Sequence, residues 1–229
     1  MEETRQHFRE ELDRLEHEAL EGLDMVTASL DRALEALRHQ DVELAAMVVS
    51  DDDRVDERYV EVHQGVLALL ALQAPVATDL RLLAAILHVI KHIERMGDQC
   101  VNVAKLIPLA GHEPPTDERI LELVERMGLL ARSLIAQSRI AFERRDARLA
   151  EDLTRQDDEI DALNKRIFRR ALAIGDDADL REWAMHMVLA GRALERIADN
   201  AVDIGEQVAF VVTGRLREFD DASRVKLRG

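Results

Sequence analysis

The stretch Ile86-Leu87-His88-Val89-Ile90-Lys91-His92-Ile93-Glu94-Arg95-Met96-Gly97-Asp98-Gln99-Cys100 decides the fold. Its residues Ile86, Ile90, Ile93, Gly97 and Cys100, continued by Ala104 and Ile107, step by four and three alternately. That spacing draws one apolar stripe along a helix that lies nearly parallel or antiparallel to its neighbours. Met187, Gly191, Leu194, Ala198, Ala201, Gly205 and Val208 draw the same stripe a second time. Outward from these seams the chain reads as helix throughout, rich in Ala, Leu, Glu and Arg.

Breaks fall near Arg38–Gln40, Gln73–Pro75, Pro108–Thr116, Arg144–Arg145 and Gly175–Asp177. Asp41, Thr116 and Asp146 stand where N-caps belong, and Pro75 suits the first turn of a helix. The strongest linker is Gly111-His112-Glu113-Pro114-Pro115, because paired prolines cannot continue a helix. Three helices of roughly 30 residues, each about 45 Å long, are expected on either side of it. The halves repeat each other. Asp41, Leu44, Ala45, Asp52, Asp53 and Asp56 align with Asp146, Leu149, Ala150, Asp157, Asp158 and Asp161, and Glu94-Arg95, Asp98 and Val101 with Glu195-Arg196, Asp199 and Val202. The expected fold is all-α: two tandem three-helix bundles related by internal pseudo-symmetry, 1–112 and 113–214, with a C-terminal tail at 215–229.

The chain has 229 residues, 47% hydrophobic and 34% charged, a balance that describes a folded protein and not a disordered tail. With 10 Gly and 4 Pro there are too few turn residues for an all-β architecture. A net charge of -15 repels phosphate backbones and anionic lipid, which disfavours nucleic-acid binding and simple membrane adhesion. Cys100 is the single cysteine, so an internal disulfide and a thiolate zinc cluster are excluded; it lies on the seam and reads as core. The start Met1-Glu2-Glu3-Thr4-Arg5 leads into no apolar run, and Val66–Ala77 is interrupted by Gln73 and Pro75. Neither a signal peptide nor a transmembrane segment is expected, and a cytoplasmic location follows, reaching the membrane's inner face only through partners.

The repeated residues that a core cannot explain are carboxylates. Asp52 and Asp56, Glu94 and Asp98, Asp157 and Asp161, and Glu195 and Asp199 are acidic pairs at i,i+4, each at a cost of roughly 0.2–0.5 kcal/mol. Within each half the two pairs lie equally far from the turn, so antiparallel helices about 8–10 Å apart bring them level. Asp53, Asp158 and Glu159 add charge nearby. One reading is a surface metal site on each bundle, its oxygen donors suited to hard cations such as Mg²⁺, Mn²⁺, Ca²⁺ or Fe³⁺. Another is ordinary salt bridging, by Lys91 and Arg192 with Arg54, Arg95, Arg155 and Arg196 close by. A third makes Asp52 and Asp53 an N-cap after a break at Ser50, with their counterparts doing likewise. Because Glu195, Asp199, Asp203 and Glu206 form a continuous stripe, the second half is expected to be the tighter cation site.

Histidine chemistry adds little. His88 and His92 point away from Glu94 and Asp98 and read as an exposed or partner-facing pair. His63 can flank the acidic cluster, but its counterpart is Phe168. No histidine has a Glu three residues before it, which excludes a di-iron carboxylate oxidase, and no phosphate loop, H-E-x-x-H or G-x-S-x-G is present. The sequence does not read as an enzyme.

Pro75-Val76-Ala77-Thr78-Asp79-Leu80-Arg81, followed by Glu94-Arg95-Met96-Gly97-Asp98 and Asn102, resembles the PhoU family of phosphate-transport regulators, and Glu195-Arg196-Ile197-Ala198-Asp199 is similar to the second copy of that signature. The resemblance runs from about Leu20 to Gly214. It implies two three-helix bundles and a non-catalytic negative regulator of phosphate uptake and the phosphate-starvation response. Such a protein is an adaptor between the phosphate ABC transporter ATPase and a sensor histidine kinase, and commonly a homodimer. It also implies metal ions (iron or zinc in some members, none in others) at acidic motifs matching the four pairs. Ala198 stands where the family has Gly and Asp203 where it has Asn, and Gln99-Cys100 is atypical, so the two sites are expected to be unequal. Other members govern persistence or potassium and sodium transport, and a metal-free salt-bridged scaffold is the remaining alternative.

Overall fold

The structure is a computed structural model that describes residues 2–73, 75–111 and 113–219. Helix-favouring segments give α1 (Glu2–His39), α2 (Val42–Asp51), α3 (Asp53–Leu72) and α4 (Ala77–Leu106) in the first half. After a 3-10 turn at Pro108–Ala110 come α5 (Glu118–Arg144), α6 (Ala147–Glu151), α7 (Leu153–Leu172) and α8 (Ala178–Thr213). Among the described residues there is no strand.

The caps follow the repeat. Asp41 accepts from the Leu44 N–H (2.9 Å), and Asp146 from those of Arg148 and Leu149 (3.0 and 3.1 Å). Each follows a left-handed residue that is not glycine: Gln40 (φ 53°) and Arg145 (φ 55°). Long-range bonds hold these strained residues: Gln40 Nε2 donates to the Ile107 carbonyl (2.7 Å) and Arg145 to Glu16 (2.6 Å). α8 is capped by Asp177, which accepts from Leu180 N (3.0 Å).

Several expectations need correction. α5 is capped by Asp117 and not Thr116; the Asp117 side chain accepts from Ile120 N (3.1 Å) and grips the Arg170 guanidinium at 2.7 and 3.1 Å. Pro75 lies outside α4, two residues before its first turn. The second helix of each half is kinked, at Asp52 and Asp152, where the backbone stays right-handed helical and no side chain caps the new start. The first break is thus at Asp52 and not Ser50. Asp152 stands five residues before Asp157, the counterpart of Asp52, so Asp157 is not at a helix start. His112 of the linker, Ala74 of the first turn, Met1, and residues 220–229 of the tail lie outside the described residues.

One contiguous apolar cluster joins the halves. α1, α4, α8 and α5 form the inner rods, each packed on the next, with the closest association between α4 and α8. α2 and α3 lie outside against α1 and α4, and α6 and α7 against α5 and α8. Both seams are buried from end to end, Cys100 included, and its thiol is pushed up to about 12 by that burial. His92 is neither exposed nor left for a partner protein. It is 9% exposed, and its Nδ1 donates to Asn200 Oδ1 of α8 at 2.8 Å, because the other half covers that face of α4. Among the described residues no helix is long and apolar enough to cross a membrane.

The cap at α5 is testable. Asp117→Ala is expected to lower unfolding stability by about 1 kcal/mol in denaturant melts, through the lost cap. Thr116→Ala stays within about 0.5 kcal/mol of the parent.

Candidate functional site

Antiparallel α3 and α4 assemble the first acidic cluster. Asp52, at the kink, lays Oδ1 over the bare backbone of Gly97: a methyl there would stand 2.9 Å from that oxygen and 3.2 Å from Val55 Cγ1. Burial, then the charges of Asp56, Asp98, Asp53 and Glu94, raise the Asp52 pKa from 3.8 to about 6. Burial also raises that of Asp98, with Glu94 and Asp56 adding to it and Lys91 and Lys105 opposing. Asp52, Asp56, Glu94 and Asp98 therefore lie within electrostatic reach of one another. Glu94 takes Lys91 Nζ at 2.7 Å, and the same ammonium stands 5.0 Å from the Tyr59 ring centroid. The other oxygen, Glu94 Oε2, is buried with no hydrogen-bond partner. His63 stacks on Tyr59 (5.6 Å between centroids).

α7 and α8 assemble the second cluster. Asp161 and Glu195 come within hydrogen-bonding reach of each other. Glu195 is also held by Arg192 and by Asn164 Nδ2 (2.7 Å), and Asp161 by Lys165 Nζ (3.1 Å). Burial raises the Glu195 pKa, with Arg192 opposing and Asp161 adding. Although Asp199 reaches solvent, burial of part of its side chain, then Glu195, with smaller contributions from Asp203 and Asp161, raises it from 3.8 to about 6 against the pull of Arg192. Asp157, Asp199, Asp203, Glu206 and Glu218 line a cavity of about 310 Å³ bounded by Phe219, whose N–H donates to Glu206 Oε1 at 2.7 Å. Asp157, Asp161, Glu195 and Asp199 are thus gathered as well.

The salt bridges expected of Lys91 and Arg192 are formed, whereas Arg155 turns to Asp152 (2.9 Å) and Arg54, Arg95 and Arg196 make no ion pair among the described residues. Sequence reasoning missed Tyr59, Asn164, Lys165, Glu218 and Phe219. Lys165 was readable as the i+4 partner of Asp161; nothing in the sequence announces that residues 215–219 fold back over α8.

As donors, these oxygens fit a hard cation: they raise one another's pKa, and Glu94 leaves a buried oxygen unpaired. As placed, they do not close on one. Among the described residues no three or more His, Cys, Asp or Glu side chains are disposed to hold a metal ion.

A family model described as PhoU domain matches the chain twice, over residues 19–107 and 124–208. The phosphate-specific transport system accessory protein PhoU homolog of Clostridium acetobutylicum is 30% identical over 220 residues, covering 95% of this chain and 100% of that one. The crystal structure of the phosphate transport system regulatory protein PhoU from Streptococcus pneumoniae superposes with a TM-score of 0.85 at 28% identity, covering 92% of this chain and 99% of that one. PhoU from Pseudomonas aeruginosa gives 0.84 at 27% identity, covering 91% and 100%.

The raised acids dictate a pH dependence. Asp52 and Asp199 keep a proton to about 6 when folded, but release it near 3.8 when unfolded. Their contribution to stability is complete below about 4 and is lost as pH rises through about 6. Asp52→Asn and Asp199→Asn should each raise the melting temperature at pH 8 in chelator-treated protein, and flatten its decline between pH 4 and pH 7. A steeper decline in the variants would contradict this electrostatic account.

Proposed function

The chain belongs to the PhoU family, and from that premise we propose that it is a non-catalytic negative regulator of phosphate uptake and the phosphate-starvation response. In this reading it is an adaptor, a homodimer in solution, that contacts the phosphate ABC transporter ATPase and a sensor histidine kinase and favours the silent state when phosphate is plentiful. The observation that carries the reading is the family match in both halves, supported by relatives named as accessory and regulatory proteins of phosphate transport over nearly their whole length. The exposed faces of long helices suit docking, and the acidic clusters hold no nucleophile–base pair that would suit turnover. Free phosphate is repelled by these clusters unless a cation bridges it.

The same reading gives the clusters a cation: Asp52, Asp56, Glu94 and Asp98 in the first half, Asp157, Asp161, Glu195 and Asp199 in the second. Iron, zinc, magnesium or manganese would supply charge neutralisation that lets the two helices of each half stay close. The second half would be the tighter site, because Asp203, Glu206 and Glu218 line one cavity with its Asp157 and Asp199. Binding requires the carboxylates to turn from Lys91, Lys165 and Arg192. Those pairs favour a second reading, a metal-free scaffold in which lysine and arginine complete the neutralisation.

Deleting the gene should switch on a phosphate-starvation reporter in phosphate-rich medium; an unchanged reporter would overturn the regulatory reading and point to another transport or persistence process. The cation is tested separately. Mn²⁺ or Zn²⁺ at a hundredfold excess over Kd should stabilise chelator-treated protein by about 2.7 kcal/mol in melts at pH 7.5. The gain should shrink in Asp56→Asn/Glu94→Gln and more in Asp161→Asn/Asp199→Asn. No gain in the parent supports the scaffold.

A further inference from the structure

On the outer side of the α7–α8 pair runs a groove of about 390 Å³, with Phe168, Val188 and Leu189 as its apolar lining and Lys165, Arg169 and Arg192 beside them. Phe168 is 49% exposed and Leu189 55%. One helical turn further, on the same faces, Leu172 and Met185 are 67% and 42% exposed. Large apolar residues at i,i+4 on two neighbouring antiparallel helices are the seat a third helix fills, and a patch of this kind marks an interaction surface.

The first half shares this surface only in part. At the equivalent positions the first half carries His63 for Phe168, Ala84 for Met185 and His88 for Leu189. Val60 and Gln64 replace Lys165 and Arg169, so only one of the three cations, Lys91 for Arg192, is kept. Val188 and Leu172 keep apolar counterparts in Leu87 and Leu67, so the second half differs at Phe168, Met185 and Leu189 and at two of the three rim cations.

The rim identifies the occupant. It is a basic island on a chain of net charge -15. Lys165 and Arg192 share their charge with Asp161 and Glu195, while Arg169 makes no ion pair among the described residues. A small hydrophilic anion would leave the apolar lining bare. A second copy docked face to face across a two-fold axis would set the basic rims against each other. We propose that the α7–α8 groove docks an amphipathic helix of another protein, its apolar face on Phe168 and Leu189 and its flanking Asp or Glu side chains on Arg169, Lys165 and Arg192. The proposal does not depend on phosphate regulation or on a bound cation.

The test is selection from a displayed library of random peptides of about 18 residues, long enough for five helical turns, against the full chain. Enriched peptides should be amphipathic with acidic flanks, and their affinity by fluorescence anisotropy should fall about tenfold in Phe168→Ala and in Arg169→Glu. A peptide with Lys in place of its flanking Glu should bind Arg169→Glu better than the parent. Circular dichroism melts check that both variants fold, and Leu189→Ala stands in for either that does not. No enrichment above an unrelated protein, enrichment of neutral or basic peptides, or binding indifferent to the groove variants would each overturn the proposal. Self-association of the parent that Phe168→Asp abolishes in sedimentation would overturn it too, by giving the groove to a second copy.

Discussion

α4 and α8 bury their seams in one shared core, and every other element takes its place from that contact. Burying one isoleucine or leucine side chain contributes about 1.5–3 kcal/mol, whereas an exposed like-charged i,i+4 pair costs roughly 0.2–0.5. A helix with Ile86, Ile90 and Ile93 inside can therefore carry Glu94 and Asp98 on its flank at little relative cost. The same holds for Leu194 and Ile197 beside Glu195 and Asp199. Since the two rods are locked together, the acidic flanks are fixed relative to each other, and α3 and α7 complete each cluster from outside. The His92–Asn200 hydrogen bond adds polar register to an otherwise apolar interface.

The halves depart from symmetry where the carboxylates sit. Asp52 occupies the kink that opens α3, where the helix N-terminus favours negative charge, yet its pKa is still raised to about 6. Burial and four acidic neighbours account for the rise. Asp157 falls beyond the first turn of α7 and lacks that support, because the kink comes at Asp152. Gly97 leaves room for the Asp52 carboxylate against α4, and Ala198 fills the matching space with its own methyl. The second cluster compensates through solvent-side acids and the returning segment that ends at Phe219.

Much of this was legible in the sequence because it rests on local rules. The i,i+4 acids and the seams follow from helical period, and Lys91 and Arg192 from their i,i+3 spacing to Glu94 and Glu195. Asp41 and Asp146 were readable caps even without glycine before them. Thr116 and Asp117 are equally good caps by type, and what selects Asp117 is Arg170, far away in sequence. The break near Asp52 was one reading among three, placed two residues early at Ser50, and the kink at Asp152 escaped, because no proline or glycine marks either. His92 was placed on the correct face but given the wrong surroundings, since period fixes a face and not what covers it.

The counterions of the two clusters bear on why the acids persist. Lys91, Arg192 and Lys165 each come from the carboxylate's own helix, three or four residues away. Such pairs are worth about 0.3–0.5 kcal/mol when exposed, and long flexible side chains release them readily. Asp117 is neutralised differently, by an arginine from another helix that donates to both its oxygens while it also caps α5. That arrangement joins elements; those at Glu94, Asp161 and Glu195 join nothing that the seams have not already joined. Local counterions keep the clusters tolerable at little cost, and one buried oxygen, Glu94 Oε2, is left without a hydrogen-bond partner.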